Sequence, residues 1–240
     1  MVTHLAYAND VVIFTSGLKA SITLVKAIVD GYCAFSGQRV NCQKSCYLVH
    51  PTLSLQRRAM IGMVTGFSYK SFPIKYLGCP LYIGRRRMHY FAELCDMVTA
   101  RILSWKNRVL SFGDKIVLLK SVLSSMPIHL LAAASPPKGV IASLERVMTS
   151  FLWSSTDMGQ KFHWLSWGEL CRPHQESGIG VRSLAKVYDA FSIKLWWNFR
   201  LRRSLWAVFF VAKNCSGVHP CLAKEGFSRT PTWRRLWSIQ

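Results

Sequence analysis

The stretch His4-Leu5-Ala6-Tyr7-Ala8-Asn9-Asp10-Val11-Val12-Ile13-Phe14 places two short apolar runs around a small polar centre, Ala8-Asn9-Asp10. Asn and Asp tolerate tight-turn geometry, and the β-branched run that follows them favours a strand. The pattern therefore predicts a β-hairpin that presents one carboxylate, Asp10, at its tip. For these residues alone, a surface turn without chemistry is the simpler interpretation.

Further segments follow this hairpin in a characteristic order. They are SGQRVNCQKS at residues 36–45, YLGCPL at residues 76–81, SWK with LSFG at residues 104–113, and GIGVR at residues 178–182. Together with the hairpin they resemble reverse transcriptases of the LINE type (non-LTR retrotransposons) over roughly residues 3–200. The family's hairpin has the pattern Tyr-Ala-Asp-Asp, which Tyr7, Ala8 and Asp10 match, whereas Asn9 stands in place of the first aspartate.

The resemblance implies an α+β fold, namely a partial reverse-transcriptase palm followed by a mainly helical thumb and connection region. We expect a partial palm at residues 1–86, a thumb-like helical region at 87–153, a Trp-rich connection at 154–213 and a loose tail at 214–240. The tryptophans between residues 153 and 197 are expected to lie in the core rather than to form a base-stacking platform; they are Trp153, Trp164, Trp167, Trp196 and Trp197.

Hydrophobic periodicity predicts the individual elements. Apolar residues recur at helical spacing from Leu24 to Phe35 and stop at Gly37, so we expect a helix whose apolar stripe packs against the hairpin. A shorter helix is predicted around residues 55–63, bounded by Gly66, and a strand-turn-strand at residues 71–84. Further helices are predicted at about residues 88–105, 114–126, 136–153 and 184–205.

The catalytic residues implied by the resemblance are Tyr7, Asp10 and Lys44. Polymerases of this kind use two metal ions, Mg²⁺ in the family, which need several carboxylate oxygens. Asn9 is neutral and cannot bridge two cations, and the upstream aspartate of the family precedes the turn at which this chain starts. Asp10 is therefore a remnant metal ligand, and we expect no productively bound Mg²⁺ and no polymerisation by this chain alone. A solvated strand lysine is the alternative interpretation of Lys44.

Charge indicates the partner. The chain has 31 Lys and Arg against 11 Asp and Glu, a formal charge of +20 and a pI near 10.0. Such an excess favours a polyanion, and RNA or an RNA/DNA primer–template is the leading partner. An anionic membrane surface or an acidic protein is the alternative. The expected contacts, partly by resemblance to the primer grip and thumb, are Tyr76, Gly78, Arg85, Arg86, Arg87, Arg101, Lys106, Arg108, Lys115 and Lys120.

Other classes of protein are not indicated. Apolar runs stay short of the roughly 18 residues that a membrane span needs, and the N-terminus lacks the basic region of a secretory leader. We therefore expect an intracellular protein, nuclear or cytoplasmic, with no membrane association. No nucleophile, nucleotide-binding or zinc motif and no small-molecule site is evident.

The sequence thus predicts a truncated remnant of a retrotransposon RNA-directed DNA polymerase that keeps affinity for RNA or DNA. A different hypothesis is a basic helical scaffold that binds nucleic acid or a ribonucleoprotein without catalysis. A chain that does not fold stably alone, because part of its palm sheet is missing, is the third. The first hypothesis predicts nucleic-acid contacts near residues 85–120 and Tyr76, and the second predicts contacts dominated by the C-terminal arginines.

Overall fold

The computed structural model describes residues 3–105, 110–154, 163–215, 217–222 and 230–239. The fold is α+β, as predicted, with helices and two-stranded sheets. The chain divides into two units, Met1–Ile74 with Leu81–Ile83 and Lys75–Pro80 with Gly84–Gln240. This division passes through a hairpin a few residues before the boundary expected at residue 86. None of the helices in the described residues is both long and apolar enough to cross a membrane.

The predicted hairpin is present in the first unit. Strand β1 (His4–Tyr7) pairs antiparallel with β2 (Asp10–Ile13), and Ala8 and Asn9 form the two-residue turn. Asp10 is therefore not the tip of the hairpin but the first residue of β2, paired with Tyr7. Ala8 has a φ of 51°, in the left-handed region that favours glycine, so this turn is strained.

Helices α1 (Lys19–Ser36) and α2 (Leu55–Thr65) end at the two glycines that the sequence analysis expected to terminate them. Gly37 and Gly66 have φ values of 70° and 71°, a conformation that glycine adopts at no steric cost. Ser54 caps the start of α2 by accepting a hydrogen bond from the Arg57 N–H. Strand β3 (Cys46–Tyr47) lies between the two helices and pairs in parallel with β4 (Ser68–Tyr69), which follows α2. Helix α1 packs on α2.

The expected packing of the α1 stripe against the hairpin is wrong. Leu24, Ile28, Tyr32 and Phe35 remain 62%, 63%, 55% and 93% exposed. Apart from Ile22 and Ile61, which are buried, the described residues of this unit offer no enclosed hydrophobic side chain. The stripe has the correct period for an amphipathic helix, but this unit supplies too little apolar surface to cover it.

The strand-turn-strand at residues 71–84 is confirmed as β5 (Ile74–Tyr76) and β6 (Cys79–Leu81). The helices that follow include all those predicted, together with elements that were not. They are α3 (Ala92–Leu103), α4 (Phe112–Leu118) with a π turn at Leu119–Leu123, α5 (Ile128–Ala133), α6 (Lys138–Leu152), α7 (Trp167–Leu170), α8 (Leu184–Leu201), α9 (Leu205–Asn214) and α10 (Pro231–Trp237). Short 3₁₀ turns lie at Met88–Phe91, His174–Glu176 and Pro220–Leu222.

Helix α6 lies at the centre of the second unit. It packs against α3, α4 and α8, and its buried face includes Leu144, Met148 and Leu152. A second cluster joins the later helices through Phe199, Phe210, Trp233 and Leu236. The loose tail expected after residue 214 is therefore wrong for α10, because Trp233 and Leu236 of that helix are among the most buried side chains.

The expected tryptophan core is correct only in part. Trp153, Trp167 and Trp196 are half-buried, and Trp153 packs on the ring of Phe112 with 5.5 Å between ring centroids. Trp164 and Trp197, in contrast, are 80% and 57% exposed. The sequence alone did not separate the inner from the outer tryptophans, because a partner such as Phe112, on which Trp153 packs, belongs to a different helix, α4.

Candidate functional site

The hairpin presents its polar residues to solvent. Tyr7 is 66% exposed, and Asn9 and Asp10 are also exposed. The Ala8–Asn9 turn puts the Asn9 amide directly before the Asp10 carboxylate. This arrangement offers one anionic ligand at the position where the resemblance implies two.

The residues of the hairpin do not fit a two-metal Mg²⁺ site. Such a site needs carboxylate oxygens to hold and bridge two cations, and Asn9 offers only a neutral carbonyl oxygen. Across the described ranges, no three His, Cys, Asp or Glu side chains come together in a geometry that could hold a metal ion. Asp10 by itself therefore cannot hold and bridge two cations.

Lys44 lies on a turn rather than on a strand. The Asn41 side chain accepts hydrogen bonds from the backbone N–H groups of Gln43 and Lys44, each at 3.1 Å. Asn side chains commonly stabilise turns in this way. The Lys44 ammonium is exposed at this turn, so it is available to an anion in solution.

Tyr76 and Gly78 lie in the β5–β6 hairpin, with Tyr76 half-buried. Leu77 and Gly78 have φ values of 47° and 77°, the combination that a type I′ hairpin turn requires. A Cβ on Gly78 would lie 3.8 Å from the His129 ring, which is an ordinary contact. The turn conformation therefore accounts for the glycine, whereas crowding does not.

The arginines of the predicted basic series that the structure describes are exposed. Arg85, Arg86 and Arg87 are exposed directly after Gly84, and Arg101 is exposed in the last turn of α3. Lys106 and Arg108 lie outside the described residues.

Two lysines of that series have partners within the second unit. The Lys115 ammonium donates to the backbone carbonyl of Ser154, and its Nζ lies 3.3 Å from the Ser154 hydroxyl. It thereby caps the chain just after α6, where carbonyls lack helical partners. Lys120 Nζ lies 3.4 Å from His174 Nε2. Arg101, Lys115 and Lys120 lie on α3, α4 and the π turn, respectively.

Arg235 is a structural site that the sequence analysis missed. Its side chain is 3% exposed, its Nε donates to Ser192 Oγ at 2.6 Å, and its guanidinium lies over the Tyr188 ring at 4.2 Å. Burial lowers the pKa of Arg235, and the neighbouring Tyr188 and Asp189 counter that effect. Thr230 followed by Pro231 is a recognisable helix start, which could have revealed α10 but not the buried arginine.

Comparison with known proteins finds relatives, although no family model matches the chain. A protein of Arabidopsis thaliana named as a ribonuclease H protein is 33% identical over 150 residues, which are 61% of this chain and 24% of that relative. The Transposon TX1 uncharacterized 149 kDa protein of Xenopus laevis is 28% identical over 194 residues, which are 79% of this chain and 14% of the relative. The chain therefore spans less than a quarter of the length of both relatives, and these similarities indicate a protein derived from a transposable element.

Proposed function

We propose that this chain is a remnant of a retrotransposon reverse transcriptase that binds RNA or a primer–template and does not polymerise. The observation that carries the proposal is the exposed Ala8–Asn9 turn followed by Asp10, which resembles the Tyr-Ala-Asp-Asp hairpin of the family but has one carboxylate where that pattern has two. The Transposon TX1 relative, matched over 79% of this chain, supports the retrotransposon origin.

Nucleic-acid binding is supported by charge and exposure. The chain carries +20, and Arg85, Arg86 and Arg87 are exposed together after the β5–β6 hairpin. Arginine side chains neutralise phosphates and release counterions, so this binding weakens steeply as salt rises. Lys115 is expected to contribute less to nucleic-acid binding, because its ammonium already donates to the Ser154 carbonyl.

The competing function is a basic scaffold whose nucleic-acid contacts lie near the C-terminus. One observation favours it: Arg200, Arg202 and Arg203 are exposed around the end of α8, while two lysines of the thumb-like series have internal partners. The two functions differ in where bound nucleic acid can be crosslinked. Crosslinks at residues 76–101 support the reverse-transcriptase remnant, and crosslinks confined to residues 200–203 support the scaffold.

The test is equilibrium binding of a poly(A)–oligo(dT) template to the whole chain at a series of salt concentrations. We expect the logarithm of the association constant to fall linearly with the logarithm of the salt concentration. The slope is set by the number of phosphates that the protein neutralises. Absence of binding at low salt would overturn the proposal.

A further inference from the structure

The β3–β4 pair of the first unit carries a surface that none of the functions above uses. Tyr47 and Tyr69 are directly paired across these two parallel strands, with ring centroids 5.7 Å apart and an interplanar angle of 47°. The Arg58 guanidinium lies 5.0 Å from the centroid of the Tyr69 ring. Tyr69 nevertheless remains 37% exposed, so more than a third of this residue is open to solvent.

This ring is held by fixed neighbours. The Tyr47 hydroxyl donates to the Arg58 carbonyl on α2 at 2.7 Å. Arg58 is itself fixed, because its Nε donates to the Leu53 carbonyl at 3.0 Å and its Nη2 donates to the Pro51 carbonyl. The guanidinium thus lies over the ring while two of its five N–H groups donate to backbone carbonyls. Arg58 and Tyr47 are positioning residues, and Tyr69 presents the contact surface.

The charge of the chain segment that carries this ring suits a polyanion. Ser68 and Lys70 flank Tyr69 and are exposed, as is Arg57 on α2. No Asp or Glu occurs between residues 31 and 92. In the described part of the first unit the acids are Asp10 and Asp30, and Asp30 is paired with Lys26. The protein segment that contains Lys70 therefore has no acidic residue that would repel a bound phosphate.

We propose that Tyr69 is a stacking site for one unpaired base of single-stranded nucleic acid, with Lys70 contacting the adjacent phosphate. Every base has a π-face, so an exposed ring beside cations binds single strands with little sequence preference. A base within a duplex is already stacked on its neighbours, so the site favours single strands over duplex. This inference rests on the proposed nucleic-acid binding and names the substrate form that this surface selects.

The test measures binding of a fluorescent oligo(rU) 12-mer to the whole chain and to variants at exposed tyrosines. We expect Tyr69→Ala to weaken binding about tenfold, as loss of one stacked base does, and Tyr69→Phe to bind as the unmodified chain does. Tyr32→Ala removes another exposed tyrosine, on α1, and is expected to leave affinity unchanged. The slope of the logarithm of the association constant against the logarithm of the salt concentration is expected to stay the same in Tyr69→Ala, since no charge is lost. In Lys70→Ala the magnitude of this slope is expected to fall by about 0.7.

A second measurement does not depend on variant folding. An oligo(rU) probe containing 4-thiouridine is photocrosslinked to the unmodified chain, and the attached residue is identified by mass spectrometry. Crosslinks at Tyr69 or Lys70 support the site. Binding of the probe with neither these crosslinks nor a Tyr69→Ala effect overturns the stacking site alone, whereas failure to bind both this probe and poly(A)–oligo(dT) overturns the proposed function as well.

Discussion

The Nη2 atom of Arg235 donates to the backbone carbonyl of Leu131 at a distance of 2.9 Å. Nη1 of the same guanidinium donates to the carbonyls of Ala134, at 2.9 Å, and Ala132, at 3.4 Å. These carbonyls belong to the end of α5, where a helix leaves its last acceptors without internal partners. A cation at this end also interacts favourably with the helix dipole. One arginine of α10 thus completes a helix about a hundred residues earlier in the chain.

Replacing Arg235 is expected to destabilise the second unit. Arg235→Ala leaves the carbonyls of α5 and the hydroxyl of Ser192 without their donor in a buried place, which costs about 2–4 kcal/mol of unfolding free energy. The measurement is urea unfolding followed by circular dichroism. Arg234→Ala, one residue away and exposed, is the matched control, with an expected change within about 0.5 kcal/mol. Equal effects of the two variants would contradict the role of Arg235.

Glu145 on α6 is expected to stabilise the start of α8. Its Oε1 accepts hydrogen bonds from the Ser183 hydroxyl at 2.9 Å and from the Ala185 N–H at 3.3 Å. Glu145→Ala removes a helix-capping acceptor and is expected to cost about 1 kcal/mol in the same unfolding assay. The neighbouring Arg146→Ala alters an exposed residue of the same helix and serves as control. An Arg146→Ala loss as large as that of Glu145→Ala would contradict the capping role.

Two capping boxes are expected to make the free energy of unfolding decrease at acidic pH. Hydrogen bonds from the Ser111 hydroxyl and N–H lower the pKa of Asp114, and those from the Ser166 N–H and hydroxyl lower the pKa of Glu169. A folded pKa below the unfolded one contributes stability that is complete above the unfolded pKa and is lost as pH falls through the folded pKa.

The measurement compares the double variant Asp114→Asn, Glu169→Gln with the unmodified chain at pH 7, 5, 4 and 3. The unfolded carboxyls have ordinary pKa values of 3.8 and 4.5, so the unmodified chain loses this contribution at and below those values. The double variant is expected to show a smaller drop in its urea midpoint between pH 5 and pH 3. An equal drop in both proteins would contradict this account.

The exposed arginines after β6 are expected to contribute to nucleic-acid affinity. Replacing Arg85, Arg86 and Arg87 together by Ala removes up to three phosphate contacts, so the salt slope is expected to become shallower by about two to three. The control replaces Arg200, Arg202 and Arg203, which are also exposed, and is expected to have the smaller effect. The reverse order would favour the basic scaffold over the polymerase remnant.

Local signals predicted those elements whose ends are marked by local chemistry. Gly37 and Gly66 end their helices because each adopts a left-handed φ that other residues avoid. The β1–β2 hairpin follows from its polar centre and β-branched run. In contrast, helix α9 was not predicted, because its sequence is apolar almost throughout. A helical period is visible in a sequence only when polar residues on one face alternate with apolar residues on the other.

Long-range partners explain what the sequence did not predict. The sequence places Lys115 in a cationic series, but its hydrogen-bond partner Ser154 is 39 residues away. The partners of Arg235 are up to 104 residues away, and no local pattern distinguishes it from the exposed Arg234. The Tyr47–Tyr69 contact likewise depends on parallel pairing of strands separated by α2, which periodicity within one segment cannot indicate.

The most direct test of the central claim is primer extension with Mg²⁺ on poly(A)–oligo(dT), run with the unmodified chain, Asn9→Asp and Asp10→Asn. The account predicts template binding without extension in all three proteins. Asn9→Asp restores only one carboxylate to a site that needs several. Extension by the unmodified chain that is lost in Asp10→Asn would contradict the account, because Asp10 would then act in a metal site assembled from further ligands.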